Sequence, residues 1–331
     1  MCEFSRNLVF AILMIGLISC SSSNELRKFD EADTSNGVPD DLVKKFEVKD
    51  VGSPTPTPSP TPVAVTTKKR RRKKAVKREV PVNQTQEAQA NPTPPTRRID
   101  PTPFSLGEKL EYEIRYVGVT AGYLDLEVLP FKQLNNRKVF HLQAKARTVK
   151  LFELIYRVND TIESFWDYDG LFSHKFTMDL DESKQTRKLI ELYDYDKKKS
   201  FYWNRVDHVQ KGYSEKKESY DIPLWDQDPI SMLYFLRTLN LPIDPAIELR
   251  APVILDGKPW ECVLHFKKKE KIYAGGAYRD ASAYRIDTFQ NGEVKNKDNT
   301  IWISDDEHHY VLRVEAKVKV GSFAIALEKI L

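Results

Sequence analysis

From Leu110 onward the chain alternates. Leu110, Tyr112, Ile114 and Tyr116 are apolar or aromatic, and the residues between them, Glu111, Glu113 and Arg115, are charged. Successive side chains on a strand point to opposite faces, so this period of two predicts strands buried on one side. After residues 118–122, which begin and end in glycine, the alternation resumes in Leu124, Leu126 and Val128, giving a first hairpin. Further strands are expected near 139–146, 155–166, 171–180, 188–195 and 200–206, then 253–255, 260–266, 283–289, 300–304, 310–318 and 322–328. Clusters of Asp, Gly, Asn and Lys separate them. About a dozen short, sequentially connected strands predict a mainly β fold. Its expected form is a large curved antiparallel sheet, a spiral roll or open barrel.

One segment has a different period. Asp228 and Pro229 offer an N-cap and a first-turn proline, and residues 230–239 follow without a breaker, predicting one principal helix over 229–239. Its apolar residues surround almost the whole cylinder, leaving Ser231, Arg237 and Thr238 as exceptions, so the curved sheet has to wrap it. Cover from a bound ligand would leave Tyr234 or Phe235 on a ligand-binding face, with Leu233 and Leu236 against the sheet. Burial under neighbouring loops is the competing account.

Composition changes ahead of this region. Residues 21–100 have few aromatics and many Pro, Ser, Thr and charged residues, too little apolar surface to offset the entropy of ordering. Residues 101–331 are therefore expected to form a single domain, and 20–100 a disordered tether. Proline at every second position over 54–62 favours extended polyproline geometry. A basic band follows in Lys68, Lys69, Arg70, Arg71, Arg72, Lys73, Lys74, Lys77 and Arg78, with no acid among them. The whole chain has 52 basic and 48 acidic residues, so the basic excess lies in this band. Nothing in that balance makes the domain a nucleic-acid binder. The band is expected either to contact anionic lipid or acidic wall polymer or to act as a solvated spacer. As a flexible coil, about 80 residues average roughly 50 Å end to end, which would stand the domain well off its anchor.

The anchor is expected near the start. Residues 8–18 form an apolar run too short for a spanning helix and fit a signal-peptide core. Leu17, Ile18, Ser19 and Cys20 then resemble the lipobox of bacterial lipoprotein signal peptides. The resemblance implies removal of residues 1–19, acylation of Cys20 and a cell-envelope location, with the membrane as partner. Ser21 in place of Asp favours the outer membrane, facing the periplasm. Several acyl chains give durable attachment where one does not. Cys262, the thiol that remains, shares a strand face with Trp260, Leu264 and Phe266 and is expected to be buried and inert.

Catalytic patterns are sparse. Residues 305–309 crowd Asp305, Asp306, Glu307, His308 and His309, yet adjacent strand residues face opposite ways, so the segment reads as a polar turn. The spaced Cys/His sets of zinc sites, phosphate-binding loops and nucleophile elbows are missing from the sequence, so no catalytic residue, metal or cofactor is assigned. Asp179 and Asp181 are paired acids without an assignable role.

Three separated pieces carry a family likeness. They are 104–112 with Ala121 and Gly122, residues 228–231 through Arg237, and 301–306 through Gly321 and Ser322. Together they resemble the exported family called domain of unknown function 3108. The resemblance implies a curved antiparallel sheet similar in outline to lipoprotein-carrier proteins, and it implies no activity. Two function classes remain. One is a non-catalytic envelope lipoprotein binding an apolar or amphipathic ligand, or an envelope protein partner of unknown identity. The other is an envelope hydrolase acting on wall or lipid material through an acid pair.

Overall fold

The computed structural model describes residues 26–29, 37–51, 93–317 and 322–331. The signal core, Cys20, the proline-rich run and the basic band lie outside the described residues. Two short elements come first, α1 (Asp40–Lys45) and β1 (Lys49–Asp50). The first half of the domain follows as β2 (Lys109–Tyr116), β3 (Val119–Leu134), β4 (Arg137–Thr148), helical turn α2 (Lys150–Glu153), β5 (Val158–Asp167), β6 (Ser173–Glu182), β7 (Gln185–Asp194), β8 (Lys199–His208) and β9 (Gly212–Asp221). After helix α3 (Pro229–Arg237) come β10 (Glu248–Leu255), β11 (Lys258–Ala274), β12 (Ala277–Gln290), β13 (Glu293–Ser304), β14 (Val311–Lys317) and β15 (Ser322–Ile330).

These strands form one 15-stranded sheet in the order β10-β11-β12-β13-β14-β15-β2-β3-β4-β5-β6-β7-β8-β9, with β1 added beside β3. Each pairing is antiparallel, and β15 pairs with β2 in the register Ile325↔Ile114, joining the two halves. The sheet stays open, not closed into a barrel. Its free edges are β9 and β10, and the segment carrying α3 connects them.

Alternation decides which face is buried. Leu110, Tyr112, Ile114, Leu124, Leu126, Leu142, Ala144 and Ile162 all belong to one core on the concave face. Fully burying such an aliphatic side chain contributes roughly 1.5–3 kcal/mol, which is why the parity holds over so many strands. Bulges between Leu129 and Lys132 and between Phe266 and Lys268 add twist and help the long strands curve. The first hairpin turns tighter than expected, at Val117 and Gly118, so residues 119–122 are already strand.

Strand β9 has no counterpart among the expected strands. Its sequence is GYSEKKESYD and nearly every residue is exposed. A free edge rich in charge resists pairing with other chains, and the same charge hides the strand from a search for apolar alternation.

Helix α3 begins where expected. The Asp228 side chain accepts from the Ile230 and Ser231 amides, and the Ser231 hydroxyl in turn accepts from the Asp228 amide, a complete capping box. The helix stops at Arg237, where the Thr238 hydroxyl bonds back to the Phe235 carbonyl. It lies in the concavity and is wrapped, as its apolar surface requires.

The expected tether has three described stretches, 26–29, 37–51 and 93–100. Residues 26–29 and 37–51 lie across the convex face as a strap, contrary to the expectation of disorder over 20–100. Val38, Leu42 and Phe46 pack with Leu134, Val139, Phe165, Ile190, Leu192 and Trp203 in a second apolar cluster. A Cβ on Gly37 would come within 1.8 Å of the Trp203 ring, so only glycine lets the strap lie so close. Arg27 donates its amide to Asp207 at 2.8 Å and accepts from the Thr186 hydroxyl at 2.6 Å. At the other end of the strap Lys45 bonds Asp194 and Asp196, and β1 pairs with β3. Convex-face apolar residues such as Ile190 and Trp203 supply the surface that the polar tether sequence lacks.

Candidate functional site

Between β2 and β9 the sheet has two ends. Turns β2–β3, β4–β5, β6–β7 and β8–β9 share one, which includes α2 and is called here the lip end. The other lies toward α3. Down the concave face between them runs a column of polar side chains, placed there by the parity of β5, β6, β7 and β8.

At the lip end Tyr156 donates its hydroxyl to Glu182 at 2.7 Å, and the Gln185 amide donates to the same carboxyl at 2.7 Å. Asp160 lies on the neighbouring strand and accepts from the Asp181 amide at 3.1 Å. Both acids are buried. Burial, reinforced by the Glu182 charge, pushes Asp160 up to about 8, and burial raises Glu182 as well. At neutral pH this layer is therefore protonated on Asp160 and offers a donor.

Deeper, the β10–β11 hairpin tip enters the column. Asp256 accepts from Arg187 at 2.9 Å and lies 3.4 Å from the Tyr202 hydroxyl, while Arg187 also donates to Asn204 at 2.6 Å. Gly257 takes φ +71°, and a Cβ there would stand 2.2 Å from the Tyr220 ring, so the tip has room only for glycine. Below it Glu191 and Tyr193 are fully enclosed, and burial pushes Glu191 up to about 8. Last comes the helix cap. Asp228 accepts from the Ser173 hydroxyl at 2.6 Å and from that of Ser164, and Gln227 bridges the Trp166 indole at 2.8 Å to the Leu171 carbonyl at 2.7 Å.

A separate charged pair closes the helix's far end. Arg237 makes a two-pronged bond to Glu108 at 2.6 and 2.9 Å, donates to the Pro103 and His308 carbonyls, and lies over the Tyr234, Tyr310 and Phe104 rings. Every donor aimed inward has an acceptor there, so the arrangement holds structure and leaves nothing free for chemistry.

The helix positions expected to face a ligand are occupied by protein. Tyr234 is 1% exposed and packs edge-on against Phe104 at 5.2 Å, so it is a core residue, correcting its placement on an open face. Phe235 is half-buried beneath the Arg97 guanidinium, 5.7 Å from its ring. Leu236 is buried and Leu233 half-buried, and residues 97–104 supply the cover, as the loop-burial account required. Residues 305–309 form the expected turn, with Asp305 accepting from Ser282 and Asp306 from Ser304. Cys262 is buried, and burial pushes its thiol up to about 12. Asp179 and Asp181 point outward, with side chains 61% and 41% exposed and partnered by Lys188 and Arg157. The acids that do turn inward, Asp160, Glu182 and Glu191, were not singled out in the sequence. Parity would have found the first, because Asp160 falls two residues from both Val158 and Ile162 on the apolar face. Among the described residues no group of three or more His, Cys, Asp or Glu is placed to hold a metal.

The family model described as protein of unknown function DUF3108 matches residues 111–328. The chain belongs to the DUF3108 family. Among curated proteins nothing matches significantly. Three solved structures are similar to this DUF3108 chain at the level of fold. A β-barrel-like protein of domain of unknown function DUF1849 from Brucella abortus is 11% identical, with a TM-score of 0.41, covering 68% of this chain and 97% of that one. A protein described as exported and of YmcC-like fold from Bacteroides fragilis is 10% identical with TM-score 0.29, covering 69% and 96%. A protein described as a lipoprotein from Parabacteroides distasonis is 11% identical with TM-score 0.29, covering 69% and 96%.

Proposed function

We propose that this DUF3108 chain is an exported envelope lipoprotein acylated on Cys20, and that its domain is a non-catalytic module binding an amphipathic ligand at the lip end. The observation that carries the binding reading is the polar layer of Tyr156, Asp160, Glu182 and Gln185 at the lip end of the concave face, beside three exposed aliphatic residues of the α2 loop. A few fixed polar groups in apolar surroundings are what an amphipathic molecule needs for orientation. The outer membrane, facing the periplasm, is the location we favour, and the descriptions of two similar structures as exported or as lipoprotein agree with an envelope protein.

The hydrolase reading has an acid pair available in Asp160 and Glu182. Both are buried, and both are already engaged within the protein, Glu182 accepting from the Tyr156 hydroxyl and the Gln185 amide and Asp160 from the Asp181 amide. Binding is therefore preferred. Two measurements test the proposal. Labelled palmitate should enter the wild type and not Cys20→Ala. Mass spectrometry of the purified protein should find a co-purifying amphipath that Glu182→Leu loses while remaining folded. A wild type that carries none after gentle extraction would count against the binding module.

A further inference from the structure

Three apolar side chains stand in solvent on one short loop. Leu151 is 71% exposed, Leu154 86% and Ile155 61%, all on the α2 turn between β4 and β5. Val117 and Val119, 60% and 55% exposed, lie on the adjacent β2–β3 hairpin, and the Val149 amide bonds the Ala121 carbonyl at 3.0 Å to hold the two turns together. Isolated exposed aliphatics are ordinary on a soluble surface, whereas a contiguous group at one end of a domain marks an interaction surface.

Charge around the group has one sign in excess. Turns 117–118, 149–157, 183–184 and 209–211 carry Lys150, Arg157, Lys184 and Lys211 against the single acid Glu153. Arg157 is paired with Asp181, and the Lys150 and Lys211 side chains belong to exposed residues. An apolar tip ringed by cations suits a surface whose outside is anionic and whose inside is apolar.

The strap supplies an independent observation. Arg27 is fixed to Asp207 and Thr186, which lie beside the β6–β7 and β8–β9 turns, at the same end as α2. Cys20 precedes Arg27 by only seven residues, a span of at most about 25 Å even when fully extended. The anchor position and the apolar tip therefore share one end of the domain.

We infer that the lip end seats on an anionic lipid bilayer, with Leu151, Leu154 and Ile155 entering the headgroup boundary and the polar layer of Asp160 and Glu182 turned toward the membrane. The inference rests on the reading of Cys20 as the acylated anchor, and it names the bilayer as the source of the amphipathic ligand. The acylated full chain, carrying either Leu154→Cys or Asp169→Cys labelled with an environment-sensitive fluorophore, is reconstituted into phosphatidylethanolamine–phosphatidylglycerol vesicles. Buried Cys262 stays unlabelled in the native protein, and Asp169 sits on the β5–β6 turn at the opposite end. Vesicle flotation first reports whether the anchor holds, and failure to float overturns the anchor reading alone. Given flotation, the probe at position 154 should brighten several-fold, shift to the blue and be quenched by spin-labelled lipid, while the probe at position 169 should not. A probe at position 154 that remains in water overturns the inference and leaves the lip for a protein partner. Equal shifts at both positions overturn it too, because adsorption would then have no preferred end.

Discussion

Replacing Asp160 with Asn should make the domain more stable at neutral pH, by an amount that shrinks as pH falls toward the ordinary aspartate value near 3.8. The folded protein keeps the Asp160 proton up to about 8, whereas an ordinary aspartate releases it near 3.8. Between those values the folded state binds more protons than the unfolded one, so stability falls as pH rises through the window. One proton contributes about 1.4 kcal/mol per pH unit, so going from about pH 5 to about pH 7 removes up to about 3 kcal/mol at this residue. Asn retains the oxygen that accepts from the Asp181 amide at 3.1 Å and has no charge to desolvate. Glu191, pushed up to about 8, and Asp226, to about 7, tilt the wild type in the same direction, so the variant keeps part of the slope. Asp167 works oppositely. Bonds from Arg137 and His174 hold it well below the ordinary range, so its contribution is present throughout this window and is lost only in strong acid. Urea unfolding of wild type and Asp160→Asn at a series of pH values reads the difference directly. Equal midpoints at about pH 5 and at about pH 7.5, or a wild type that gains stability as pH rises between them, would refute the argument.

Arg237→Ala leaves Glu108 enclosed without its partner and should cost roughly 3–5 kcal/mol, read as a lowered urea midpoint; a loss below about 1 kcal/mol would show the pair to be solvated. Trypsin cleavage within 68–78 should leave both fragments co-eluting on size exclusion until urea separates them, because the strap holds the amino-terminal piece through Leu42, Phe46 and Arg27. An amino-terminal fragment that elutes alone would mean the strap does not bind by itself.

Most of the sheet was legible because its strands bury one face each. Leu110, Tyr112 and Ile114 announce β2 by parity alone, and Asp228-Pro229 announces the start of α3 by cap chemistry. What escaped did so for physical reasons. In β9 both faces are wet, so apolar parity never develops. In β7 both faces are covered, Leu189 and Tyr193 by the core and Ile190 and Leu192 by the strap, so Glu191 sits in a run of buried residues with no alternation to flag it. The strap was missed because its few apolar residues, Val38, Leu42 and Phe46, are too sparse to predict a core of their own and find one only on the finished sheet. The polar column combines residues from four strands and a distant hairpin tip. Asp256 meets Arg187 across 69 positions of sequence, a distance no local pattern encodes.

The strap is fastened at both of its ends, so the chain leaves the described part of the domain after Val51 and re-enters it at Thr93, and both points belong to the same folded body. The departure beside β1 and the return before Arg97, which bonds the Gly170 and Trp225 carbonyls, both lie away from the lip end. Under the proposed acylation of Cys20, the number of residues in the proline-rich and basic region is therefore uncoupled from how far the domain would stand from that anchor. Closing a longer loop costs only about 0.6 kcal/mol per doubling, so this region is free to lengthen, shorten or change in charge between related chains. Under the proposed acylation of Cys20, the few residues between Cys20 and Arg27 have no such freedom, since they would set the height of the domain.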